Sequence, residues 1–345
     1  MKKIIPFILI CILIMSGCAS GGGEINPTQT FIDSLDREVT VPLDPQKIAV
    51  TGPFAQIIVF ALAPDKLVGT AIKWDETAKG FIDEKYLALP NLGQLYGGKG
   101  DLNLETLMMS GADLIIDIGE QTDTLASDLN NLQEQTQIPC VHINFDIKTA
   151  DETYTMLGEL LNMQEEAGKL SAYCKKVYER TKKISENVTK ERLLYIVGEE
   201  GLNVIAKDSY HSEIIDMLSD NVAKIDNPTS KGTGNEVDME QILMWNPDVI
   251  IVSTNTIYDE MGNDKLWSQI NAVKNNRYYE VPDKPYNWMG FPPSVQRLMG
   301  MNWLAKILYP EEATYDLYEE AKEFYDLFYH HNLTIEEFSA IDSLY

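Results

Sequence analysis

Two stretches of this chain are versions of one another. LNLETLMMSGADLIID, residues 102–117, matches VDMEQILMWNPDVIIV, residues 237–252, each position meeting the one 135 residues further on. Glu105 falls on Glu240, Leu107 on Ile242 and Asp113 on Asp248, and an apolar run closes both stretches. A generic helix-then-strand pattern explains the shared apolar positions but not the shared acids, so the chain reads as two similar lobes. The same offset brings Gly97-Gly98 close to the Gly232-Thr233-Gly234 loop.

Between the repeats runs a stretch with helical spacing. Over residues 164–188, Ala167, Leu170, Cys174, Val177, Thr181, Ile184 and Val188 recur at steps of three and four, one apolar stripe on one helix face. Asn162 suits the end of a preceding helix. Glu165 and Glu166 suit the positive start of the next, and Lys175 to Lys183 its negative end. About 25 residues at 1.5 Å each reach roughly 37 Å, a rod longer than a connection needs to be.

On either side of the rod, short apolar runs alternate with helical patterns. A small hairpin is expected over residues 33–42. Strands are expected at residues 47–50, 67–72, 114–118 and 141–143, then at 193–197, 203–206, 249–252 and 278–281. This alternation predicts an α/β chain of two Rossmann-like lobes, each with a parallel sheet covered by helices, joined by the long helix. Open α/β sheets bind ligands beyond the carboxyl ends of their strands, so a ligand cleft is expected between the lobes.

The first residues carry Lys2 and Lys3, an apolar run of about a dozen residues, and Ser16-Gly17 before Cys18. The run is too short to span a bilayer well and reads as an export signal, residues 1–17. It resembles a bacterial lipoprotein signal, which implies that Cys18 receives a lipid. Residues 18–30 then form a Gly/Ser-rich tether, with order expected from Phe31. The remaining boundaries are residues 31–163 for the N-terminal lobe, 164–188 for the rod, and 189–345 for the C-terminal lobe with its terminal helices. Removing Lys2 and Lys3 takes the formal charge from −25 to −27, which argues against nucleic acid as a partner. Cys140 and Cys174 remain, and Cys174 on the apolar stripe reads as a buried small residue.

Four sets of residues carry a family resemblance. They are the start DSLDREVTVPLDPQKIAV, the helix starts GDLNLETL and EVDMEQIL, the strand VKNNRYYEVP, and the segment PYNWMGFPPSVQRLMGMNWLAKILYP. The chain resembles the substrate-binding lipoproteins of ABC importers in the iron-siderophore, haem and cobalamin family, the class with a helical backbone between lobes. The resemblance implies an extracytoplasmic, lipid-anchored, monomeric carrier. It would deliver a small metal chelate to a permease and its ATPase, with no resident cofactor and no enzymatic step. It also implies that Glu105 and Glu240 dock into arginine pockets of the permease, a role that suits exposed carboxylates meeting guanidinium forks. Either glutamate alone is explained as well by favouring its helix start.

Residues just past the strands are the candidates for touching ligand. In the first lobe they include Trp74, Tyr96, Lys99 and Glu120; in the second, Tyr210, His211, Lys231, Asn287 and Trp288, joined by Arg297 at the helix start after the Pro292-Pro293 turn. Aromatic faces with Lys, Arg and backbone N–H groups suit a partly apolar, partly anionic chelate. Bland readings stand beside each: Trp74 and Trp288 as core, residues 97–100 as a turn, Arg297 as partner to an acid, His211 as an ordinary hydrogen-bonded residue. No HxH or HExxH spacing marks a bare-metal site, and no GxSxG or GxGxxG motif marks an enzyme. A ferric siderophore or similar iron chelate is the first expectation for cargo on resemblance. Haem or a corrinoid is second and molybdate or tungstate third, the last favoured if Lys99, Lys231 and Arg297 converge on a small dry pocket.

Overall fold

The computed structural model describes residues 27–95, 101–229, 231–254 and 256–342. Its first element is the hairpin β1 (Thr28–Ile32) and β2 (Glu38–Pro42), antiparallel with Thr30 opposite Thr40. Asp33 makes the turn: its carboxylate accepts the Leu35 and Arg37 amides at 2.9 and 3.1 Å and pairs with the Arg37 guanidinium. Thr28–Thr30 pair along β2, so this hairpin starts ahead of Phe31.

The first lobe is built on β3 (Ile48–Val50), β4 (Leu114–Gly119) and β5 (Cys140–Asn144), all parallel in the order β3-β4-β5. The strand expected at residues 67–72 does not form; only the single bridges Ile48 to Leu67 and Thr70 to Asn91 tie that segment down. The buried Gln56 carboxamide accepts the Ala71 and Ile72 amides at 2.8 and 3.1 Å, removing donors that a ladder would need.

The second lobe holds β6 (Arg192–Val197), β7 (Asn203–Val204), β8 (Asp220–Asn221), β9 (Asn235–Glu236), β10 (Val249–Val252) and β11 (Tyr278–Glu280). β11, β10 and β6 run parallel, and β8 lies parallel to β6, but β7 runs antiparallel to both its neighbours, β6 and β9. The expectation of a wholly parallel sheet is corrected here. Gly198 and Gly201, both at positive φ, reverse the chain within a few residues after β6, too short for a crossover.

The sequence repeat is a structural repeat. Asn103 caps helix Leu104–Met109 by accepting the Thr106 amide at 2.9 Å, and Asp238 caps helix Met239–Trp245 through the Gln241 amide at 2.7 Å. Both helices end in left-handed backbone, at Gly111 and Asn246. The following amides, of Asp113 and Asp248, donate to Lys47 and Arg192 at the start of β3 and β6.

The rod is helix Gln164–Asn187, entered after a left-handed Asn162. Its buried face carries Ala167, Leu170, Tyr173, Cys174, Val177, Thr181 and Ile184. Helix Ala150–Leu161 lies so close that a Cβ on Gly158 would stand 2.4 Å from that of Ala167. On the other side Arg180 donates to Glu320 at 2.8 Å and Asn302 at 2.7 Å, its guanidinium 3.9 Å from the Tyr315 ring centroid.

Helix Leu317–Tyr329 packs on both the rod and helix Pro53–Leu62 of the first lobe. Phe81 meets Tyr325 at 5.7 Å between ring centroids, and His330 contacts the Phe60 carbonyl at 3.2 Å. The terminal helices therefore cover the first lobe as well as extending the second. Among the described residues no helix is long and apolar enough to cross a membrane.

Candidate functional site

The carboxyl ends of β4 and β5 face loops of the second lobe across a cleft of about 240 Å³. The first lobe contributes Glu120 after β4, then Phe145, Asp146, Ile147 and Lys148 after β5. The second contributes Asp208, Ser209 and Tyr210, with Glu213 and Arg297 behind them. Asp146 is fixed by accepting the Lys148 amide at 2.8 Å, and Phe145 by an edge contact with Phe54 at 4.9 Å. A hollow of about 540 Å³ beside the rod, at Arg180 and Tyr315, is larger but does not include the strand ends.

Arg297 is the deepest charge in the cleft, 4% exposed at the start of helix Arg297–Leu308. Its guanidinium donates to Glu213 Oε2 at 3.2 Å and to the Tyr210 carbonyl at 3.1 Å, and lies 5.0 Å from the Tyr210 ring centroid. Lys148 reaches the other Glu213 oxygen at 3.7 Å from the opposite lobe. Burial pushes the Glu213 carboxyl above its ordinary range, against the pull of Arg297. Burial likewise lowers the Arg297 pKa and raises that of Tyr210. Among the described residues, four carboxylates, Glu120, Asp146, Asp208 and Glu213, thus line the cleft against two cations, Lys148 and Arg297.

The cleft brings together three of the expected residues, Glu120, Tyr210 and Arg297. Arg297 fills both roles considered for it, lining the cleft while paired to an acid. Trp74 is a correction: it is buried in the first-lobe core, edge-on to Phe60 at 5.0 Å, its N–H donating to the Tyr86 carbonyl at 3.2 Å. Trp288 is a second correction, 1% exposed within the main core. Asn287 holds a turn, accepting the Met289 amide at 2.9 Å, and does not line the cleft. Lys231 is exposed and also outside it, beside Gly232 and Thr233 of a separate hollow of about 330 Å³ at Ser253 and Phe291. His211 backs the cleft, stacked on Phe291 at 4.9 Å with 11° between rings. Burial and the nearby Arg297 push its pKa down to about 4. Tyr96 and Lys99 lie outside the described residues, as do Cys18 and the segment before it.

Sequence reasoning missed Asp146, Lys148, Asp208 and Glu213. The rule of reading just past each strand would have found Asp146 and Lys148 after residues 141–143. Glu213 lies on the helix Glu213–Leu218 and carries no strand-end signal. Among the described residues no group of three or more His, Cys, Asp or Glu is placed to hold a metal ion.

Glu105 and Glu240 are exposed at the starts of the twin helices, and neither carboxylate has an ion-pair or hydrogen-bond partner among the described residues.

The family described as periplasmic binding protein matches residues 48–285. The chain is 26% identical over 290 residues to the Fe(3+)-citrate-binding protein YfmC of Bacillus subtilis, covering 81% of this chain and 88% of that one. It is 23% identical over 323 residues to the B. subtilis ABC transporter substrate-binding lipoprotein YvrC, covering 88% and 96%. An ABC transporter solute binding protein from Sulfurospirillum deleyianum superposes with a TM-score of 0.81 at 26% identity, over 90% of this chain and 98% of that one. Two α/β lobes, a long helix between them and matched helix starts on both accord with these relatives. The chain belongs to the periplasmic binding protein family, the substrate-binding components of ABC transporters.

Proposed function

We propose that this chain captures an iron chelate without net negative charge outside the cytoplasmic membrane and delivers it to an ABC permease. The observation that carries this reading is the charge of the cleft, where among the described residues two cations answer four carboxylates and the deepest cation is already paired with Glu213. An oxyanion such as molybdate would meet that acidic wall; of the three cations whose convergence would favour it, Arg297 lines the cleft, Lys231 lies outside it, and Lys99 lies outside the described residues. A neutral or cationic ferric hydroxamate fits better. Its amines and hydroxyls meet Glu120, Asp146 and Asp208, and one carbonyl oxygen takes an Arg297 N–H. The relative named for ferric citrate supports iron as the metal; scaffold similarity at this level leaves the ligand shell open.

Lipid attachment at Cys18 belongs to the same reading, supported by the signal-like residues 1–17 and by a relative named as a lipoprotein. Glu105 and Glu240 are the docking acids, supported by their exposure and matched placement.

A thermal-shift series on the purified protein tests the cargo. A cationic ferric trihydroxamate at a hundredfold excess over Kd should raise Tm by about 5 °C. Ferric citrate, haemin and molybdate should raise it less. Stabilisation by molybdate or ferric citrate alone overturns the assignment.

A further inference from the structure

Glu105 and Glu240 are not the only features that the twin helices hold out to solvent. Four residues after each, one helical turn along the same face, stands a methionine: Met109 is 80% exposed and Met244 is 79% exposed. The two are related by the same spacing that relates the glutamates. Each helix buries one residue at the matched position between them, Leu107 at 1% and Ile242 at 0% exposure, which fixes the outward face of both helices alike. A single exposed apolar side chain carries no message. The same thioether at the same register, twice in one chain and each beside a carboxylate without a partner among the described residues, is a pattern that fold stability does not require.

We propose that Met109 and Met244 form part of the permease-docking surface, each entering an apolar recess beside the basic socket that receives Glu105 or Glu240. The inference rests on the docking reading of those glutamates. Because both lobes offer the same acid and thioether pair, the partner must offer two like sites. That requirement fits a permease built from two like subunits around an axis. Arginine supplies the charge complement, and its aliphatic stem together with neighbouring apolar side chains supplies the recess. Methionine suits the task because its unbranched, polarizable chain adapts to two recesses that need not be identical, and it is enriched at interface cores. The glutamates set orientation and encounter; the methionines add the desolvated contact that slows dissociation.

The test uses the full chain and the permease–ATPase complex whose ATP hydrolysis the wild-type chain stimulates, reconstituted in lipid nanodiscs. Binding to the complex and stimulated ATPase are measured for Met109→Ala with Met244→Ala, for the matching Leu pair, and for Glu105→Ala with Glu240→Ala. Tm is recorded for each, and should stay at the wild-type value because the side chains are exposed. The Ala pair should weaken binding by about tenfold or more, the Leu pair should restore most of it, and the Glu pair should weaken binding as well. If the Glu pair loses binding while the methionine pairs bind as wild type, the methionine inference is overturned and the docking reading stands. If the Glu pair binds as wild type, the docking reading itself falls, and this inference with it.

Discussion

Arg297 and Glu213 form an ion pair at 3.2 Å in which the guanidinium is almost wholly buried and the carboxylate about a quarter exposed. Taking away Arg297 leaves a Glu213 carboxylate that is mostly buried and answered, among the described residues, only by Lys148, 3.7 Å away. Arg297→Ala should therefore cost about 3–5 kcal/mol in stability. Arg297→Met combined with Glu213→Gln should recover much of that loss while still failing to bind cargo. Urea unfolding followed by ligand titration checks both; a stable Arg297→Ala protein would contradict the account.

His211 gives the cleft wall a pH dependence of defined sign. Its folded pKa of about 4 lies below the ordinary 6.5, so the unfolded chain takes up a proton first as the medium is acidified. The contribution of His211 is complete above pH 6.5, is lost as pH falls from there to about 4, and levels off below. His211→Gln should lose Tm less steeply than the wild type across that window. Parallel Tm profiles for the two proteins would exclude the effect.

Gly158 has no room for a side chain against Ala167. Gly158→Ala should push helix Ala150–Leu161 off the rod and lower stability by about 1–3 kcal/mol, despite the better helix propensity of alanine. Unfolding midpoints of the wild type, Gly158→Ala and the exposed control Gly168→Ala decide the matter. The control, where no atom lies within 4 Å of the added carbon, should be neutral or stabilising.

Cys140 and Cys174 are both free and buried, in separate core clusters. Burial pushes the Cys140 thiol up to about 12 and raises that of Cys174 further. Neither should react with a thiol reagent at neutral pH until the protein is unfolded, when both should, and a reductant should leave Tm unchanged. Fast labelling of the native protein would refute the placement.

The parts of this fold legible in the sequence are those decided by neighbours along the chain. The rod declares itself through its three-and-four stripe and Asn162, and the twin helix starts through the repeat and its shared acids. The segment at residues 67–72 looks like a strand locally and fails to become one because Gln56, on a helix, captures its amides. Trp74 and Trp288 could not be placed from their flanks, since burial depends on distant partners such as Phe60 and Tyr86. The cleft was half legible. Strand ends pointed to Glu120 and Tyr210, and the helix start after Pro292-Pro293 to Arg297, but Glu213 enters through a short helix, and which acids face one another depends on how two lobes meet.

The return of the last helices to the first lobe bears on how the protein is made. Phe60 and Phe81 stay bare of Tyr325 and His330 until residues 325–330 have folded back on them. The first lobe therefore cannot finish as an independent unit while that part of the chain has yet to emerge. Its closure waits on helix Leu317–Tyr329, and a product cut short before that helix would expose an aromatic face to proteases.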